Sequence, residues 1–195
     1  MKNYLNFIKN YLKKNKFYFI LNLVYVLILI GLFILFPPSP DYLKLIMEWV
    51  KDHFETLSLL MTNKFSTFLV IFLNNSFISL IIVLSGFLLS LFWLLIIFSQ
   101  VVVIWTIFLY LVNNGLLLKW LLLTLPHWIF EIPAIILAWG LMFKISALIL
   151  KKVWYFRKVS IWSELKEVFK FFFIFIVPLL LIASLIETFI TPLFA

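Results

Sequence analysis

Between Phe65 and Val112 the chain runs for 48 residues without a charged side chain. A membrane-crossing helix uses about twenty residues at a rise of about 1.5 Å each, so this run is long enough for two helices. Its internal break is expected near Ser85-Gly86, where a short turn is cheapest. Composition agrees: 66% of residues are hydrophobic and 12% charged, against roughly half and roughly a quarter in a soluble domain. No soluble packing hides that much apolar surface, so the solvent for this chain is lipid. The fold class read from the sequence is an all-α, polytopic membrane helical bundle.

Charge is segregated. Five lysines (Lys2, Lys9, Lys13, Lys14, Lys16) precede the first apolar run, and seven basic residues lie between Lys144 and Lys170. Only Lys44, Lys51, Lys64 and Lys119 lie elsewhere. An excess of Lys and Arg marks cytoplasmic segments, so the net charge of +8 reports orientation and contact with anionic lipid, and no nucleic-acid partner is expected. The chain has no cysteine, which excludes disulfides and thiolate ligands.

These signals predict one membrane domain of five spans in the cell membrane, with a cytoplasmic N-terminus and an external C-terminus. A basic segment over 1–16 leads into the first span at 17–36, read as uncleaved because "PPSP" offers no small-residue cleavage site. Residues 40–62 form an amphipathic helix, capped by Ser39 with Pro40 in its first turn. Its stripe Leu43, Ile46, Met47, Val50, Phe54, Leu57, Met61 faces away from Lys44, Glu48, Lys51, Asp52 and Glu55, as an external interfacial helix requires. His53 there is expected to be solvated. The second and third spans take 65–85 and 87–112, and Asn113-Asn114-Gly115 is a turn signal. A broken fourth span covers 116–150, a cytoplasmic elbow 160–170, and the fifth span 171–191.

The apolar spans keep a few polar groups. "LPHWIFEIPA" at 125–134 carries Pro126, His127, Glu131 and Pro133. Ionisable groups in a membrane are costly, about 2.5–3.5 kcal/mol each on insertion scales, and usually face the bundle interior. His127, Glu131, Ala134 and Ala138 share one helical face; so do Ala183, Ser184, Glu187 and Thr191. Asn75, Ser79 and Gly86 line up on the second span, with Asn74 beside them. Small residues allow close helix approach and polar ones bond across it. The candidate polar cluster is therefore His127, Glu131, Glu187, Asn74, Asn75 and Asn114, framed by the backbone positions Pro126, Pro133, Gly115 and Pro192. If the fourth span begins at Pro126, Glu131 and Glu187 lie at similar depth and 116–125 becomes a re-entrant half-helix. If it begins at Leu116, Pro126 is a mid-helix kink and the depths differ. His127 and Glu131 alone are too few ligands for a metal site, so neither metal nor cofactor is expected. HExxH, GxSxG and P-loop patterns are absent, and no enzyme is expected.

"FLNNS" at 72–76, "NNG" at 113–115, "LPHWIFEIPA" at 125–134 and "IETFITP" at 186–192 together resemble the stage II sporulation protein M family, in order and spacing along most of the chain. Where the family usually has glycine after "PH", this chain has Trp128. The family's namesake is a membrane scaffold working with two peptidoglycan-remodelling partners, and relatives occur in organisms that form no spores. The resemblance thus implies a membrane scaffold or assembly subunit with membrane or envelope-remodelling partners. The residues themselves leave open a small dimeric transporter, channel or lipid-handling protein that uses its buried glutamates to bind cargo. The partners expected on either reading are the lipid bilayer and a second copy of this chain.

Overall fold

A computed structural model describes residues 2–37, 39–88, 93–154 and 160–194. All its elements are helical: α1 (Lys2–Leu35), α2 (Pro40–Ser58), α3 (Lys64–Ser85) with a 3-10 turn at Gly86–Leu88, α4 (Trp93–Asn113), α5 (Leu117–Trp154), α6 (Ile161–Phe171) and α7 (Val177–Leu185). π-Helical turns, Phe172–Ile176 and Ile186–Ile190, lie on either side of α7, and a 3-10 turn closes Thr191–Phe194. Among the described residues, four helical runs are long and apolar enough to cross a membrane: Asn3–Leu35, Lys64–Leu88, Trp120–Val153 and Ile161–Leu193. The molecule is an all-α membrane bundle. Part of the expected third span, residues 89–92, lies outside the described residues, as do Arg157 and Lys158 and the side chains of His53, Leu43, Val50, Phe54 and Leu57.

One expectation is corrected and two gain detail. The basic segment, described from Lys2 onward, leads into the first span as the opening turns of α1. It is helical because Tyr11 is buried there, 3% exposed, and stacks on Phe171 at 4.4 Å, while Lys9, Lys13, Lys14 and Lys16 stay exposed. The fourth span is not broken: α5 is continuous with Pro126 and Pro133 inside it. An interior proline removes one backbone hydrogen bond and crowds the carbonyl four residues earlier, a local defect that packed neighbours can hold in membrane helices. The expected elbow at 160–170 coincides with α6, which is joined to α7 through the π turn Phe172–Ile176 with helical backbone throughout.

α5 is the central element. In its apolar window 56% of residues are buried, against 17% in those of α1 and α3. It packs against α1, α3, α4, α6 and α7, and Ala134, Ala138, Leu141, Met142 and Ile145 are fully buried along it. Close approach is set by glycine. A Cβ on Gly86 would stand 2.5 Å from the Met142 carbonyl oxygen and 2.9 Å from Ile145 Cβ, and a Cβ on Gly140 would collide with the Phe19 ring. Hydrogen bonds secure the same contacts: Ser146 Oγ donates to the Gly86 carbonyl at 3.0 Å, and Asn22 Nδ2 to the Ile136 carbonyl at 3.1 Å.

Asn63 caps α3 through a reciprocal capping box with Ser66, and Ser39 Oγ accepts from the Tyr42 amide at 3.4 Å. α4 ends on Gly115, whose φ of +68° suits a residue without Cβ. The Leu116 amide donates to Leu111 and the Gly115 amide to Val112, the paired bonds of a Schellman ending.

Gly86→Ala keeps an α-helical backbone position but must displace the Met142 carbonyl, so it is expected to destabilise the bundle by about 1–3 kcal/mol. Gly31 has nothing within 4 Å of its would-be Cβ, and Gly31→Ala is expected to be neutral or stabilising by up to about 1 kcal/mol. Unfolding both variants in mixed micelles checks the contrast.

Candidate functional site: a histidine–carboxylate cluster

His127 and Glu131 are four residues apart on α5 and therefore project from the same face. Below them on that face lie Ala134 and Ala138, both 0% exposed. On the opposing helix Ala183 and Ser184 are buried, with Ser184 Oγ bonded to its own helix at the Leu180 carbonyl. Small residues on both sides let the backbones approach, as in other lipid-embedded helix pairs. Glu187, in the π turn Ile186–Ile190, meets the α5 pair: one donor atom each from His127, Glu131 and Glu187 lie within 4.8 Å of one another. The two glutamates meet although α5 is continuous, so their similar depth does not require a helix start at Pro126.

The cluster is poorly satisfied. His127 Nε2 stands 4.0 Å from Glu131 Oε2, beyond hydrogen-bond length. His127 is 7% exposed, and its Nδ1 is buried without a partner among the described residues. Two ionised carboxylates at such a distance would repel by about 3–4 kcal/mol at an effective dielectric of about 20. A cation or a proton between them removes that cost; the bare arrangement does not.

The remaining candidates divide. Asn74 and Asn75 sit half-buried on α3, with the Asn74 amide 3.4 Å from Asn75 Oδ1. No hydrogen bond joins either of them to the cluster among the described residues, although α3 packs against the turn that carries Glu187. Asn114 is a correction: it is exposed and bonds the Tyr110 carbonyl at 2.7 Å, because it serves the end of α4. Gly115 belongs to the same ending. Pro126 is half-buried and Pro133 exposed, bracketing the α5 pair, while Pro192 is exposed in the last turn. Trp128, in place of the family's glycine, packs edge-on against Trp120 at 4.7 Å.

A second polar knot escaped the sequence reading. Lys144 is 3% exposed; its Nζ lies 2.8 Å from Glu164 Oε2, 3.2 Å from the Tyr11 hydroxyl and 4.5 Å from the centre of the Tyr11 ring. Lys14 Nζ adds contacts of 3.0 Å to Glu164 and to Glu167. One buried ammonium thus joins α1, α5 and α6. Its signal was a lysine alone inside "GLMFKISALIL", which the charge pattern had absorbed into the basic cluster. Thirteen residues separate Glu131 from Lys144, about 20 Å along α5, so the two knots tie opposite parts of the bundle.

Removing one partner of a buried pair strands the other charge. Glu164→Gln is expected to destabilise by about 3 kcal/mol or more. Lys14→Ala removes an ammonium that is half exposed and is expected to cost under about 1 kcal/mol. Thermal unfolding in detergent, with the Lys144→Met/Glu164→Gln pair closing a double-mutant cycle, measures both.

Comparison with known proteins places the chain in a family, and the matched region contains α5, the α7 turn and every residue of the cluster. No curated protein and no solved structure matches the chain significantly. The family model described as stage II sporulation protein M matches residues 20–192, and the chain therefore belongs to the stage II sporulation protein M family.

Proposed function

We propose that this protein is a membrane scaffold or assembly subunit, and not an enzyme. One observation carries the reading: three buried polar side chains, on α1 and α5, spend bonds on neighbouring elements. Lys144 holds α1 and α6, Asn22 reaches the Ile136 backbone and Ser146 the Gly86 backbone. Together with the glycine contacts at Gly86 and Gly140, these bonds oppose the sliding of α5 that a carrier with two access states needs. A bundle so tied is suited to present surfaces. α2 offers one, with Tyr42, Leu45 and Trp49 exposed on it amid the charges Asp41, Lys44, Glu48 and Lys51.

On this reading the chain crosses the cell membrane five times, with the N-terminus and the Lys144 knot cytoplasmic, α2 and the His127 cluster toward the outside, and a second copy or an envelope-remodelling protein against α2. Charge asymmetry supports the orientation. So do the contacts, since Tyr11 meets the Lys144 end of α5 and Asn22 meets Ile136, which makes α1 antiparallel to α5.

A second reading, a small carrier, is favoured by one observation only, the unsatisfied His127 cluster. The two readings part experimentally. Native mass spectrometry of the complex, extracted gently from its own membranes, is expected to retain a stoichiometric partner protein. That partner is expected to be lost when Tyr42, Leu45 and Trp49 are replaced by Ser while the bundle stays folded. A homo-oligomer without any partner protein limits the α2 contact to a second copy and overturns the role in assembly with an envelope-remodelling protein. Liposome flux that disappears in a folded Glu131→Gln variant would establish the carrier instead.

A further inference from the structure

Among the described residues, one group of three potential ligands converges: His127, Glu131 and Glu187, with donor atoms within 4.8 Å of one another. Acidic clusters are common without a bound ion, but here a second observation points the same way. The His127 side chain is more than nine-tenths buried, its Nδ1 has no partner, and Nε2 is too far from Glu131 for a hydrogen bond. A buried imidazole left unbonded is costly, and an ion bound at Nε2, the nitrogen nearer Glu131, gives the ring a partner.

Charge selects the ion. Two carboxylates and a neutral imidazole carry two negative charges, so a divalent cation leaves the site neutral. One proton or one monovalent ion leaves a net negative charge within an apolar bundle, where uncompensated charge is disfavoured; two protons neutralise the carboxylates but leave the ring without a bond at the present 4.0 Å spacing. Donor type narrows the choice further. Imidazole suits zinc and its neighbours, whereas magnesium and calcium prefer oxygen alone. Zinc takes nitrogen and oxygen donors at about 2.0–2.2 Å, which places tetrahedral donors about 3.3–3.5 Å apart. The present spacing therefore has to close by up to about 1.5 Å, within reach of rotation about the glutamate side-chain bonds. The Glu131 side chain keeps 18% exposure, so the cluster is not sealed inside the chain.

We propose that His127, Glu131 and Glu187 bind one divalent metal ion of the zinc class, clipping α5 to the turn after α7. Water supplies a further ligand, as at other zinc sites with an open position. The site stands independently of the assembly role.

Full-length protein in mild detergent, stripped with chelator and then titrated with Zn²⁺ alone, is expected to bind one ion per chain by elemental analysis after desalting. Zinc-edge X-ray absorption is expected to show imidazole scattering together with oxygen ligands. Glu187→Gln and His127→Gln are each expected to weaken binding more than about 100-fold, since even outer-shell partners are worth roughly 10–100-fold. His53→Gln, on α2, is expected to leave binding unchanged. Because a cluster variant can fail to fold, absorption by the unaltered protein decides on its own. Uptake far below one ion per chain, a spectrum without imidazole, or full affinity in folded Glu187→Gln overturns the site. Equal competition by Mg²⁺ overturns the zinc class.

Discussion

Everything in this bundle depends on how closely other helices approach α5. Lipid tails are as apolar as leucine, so apolar area alone does not drive one transmembrane helix onto another. What remains is packing at short range and bonds between polar groups. Gly86 brings the end of α3 against the Met142 carbonyl, and Gly140 admits the Phe19 ring. Ala134, Ala138, Ala183 and Ser184 do the same between α5 and α7. Where the backbones come near, Ser146 and Asn22 reach carbonyls of the facing element. These bonds would be unavailable if larger side chains held the helices a few ångströms further apart.

The two ends of α5 handle charge in opposite ways. Near Lys144 an ammonium meets a carboxylate, a phenol oxygen and a ring face, so its charge is matched inside the protein. Around Glu131 the neighbouring ionisable groups are a second carboxylate, Glu187, and His127, which makes no hydrogen bond among the described residues. The first arrangement is closed and can serve as a fixed joint. The second is open, because its balance needs a positive charge from outside the chain. This asymmetry along one helix makes the proposed assembly role and the proposed cation compatible: the same α5 is locked by its own residues at one end and would be completed by an ion at the other.

Much of this was legible in the sequence, for definite reasons. The uncharged run Phe65–Val112 required helices in lipid, and the spacing of His127, Glu131, Ala134 and Ala138 defined the face of α5 that is buried. Glu187 was identified as a partner from its own stripe on the last helix. The misses have equally definite causes. Lys144 was read as topology because its charge sits near other basic residues, and nothing local reveals that Tyr11 and Glu164, 133 and 20 residues away, enclose it. Asn114 carried a polar signal that served a helix ending. Asn22, a lone amide in an apolar run, shows its purpose only once Ile136 lies opposite. Continuity of α5 through two prolines was undecidable locally, since proline both starts helices and kinks them.

Local rules are broken most densely where the three donors meet. Pro126 and Pro133 interrupt the hydrogen bonding of α5 on either side of His127 and Glu131, and Glu187 sits in a π-helical turn, a geometry that is rare and frequent at functional sites. Each departure costs stability, and natural sequences keep such conflicts where something offsets them. A joint between two helices does not need this construction: Ser146 bonded to the Gly86 carbonyl achieves one without a buried charge. Two like charges beside an unbonded imidazole are an expensive way to hold α5 to α7 unless a cation completes the contact. Neutrality then removes the repulsion, satisfies the ring and turns the costliest residues in the bundle into the clasp between its central and final helices.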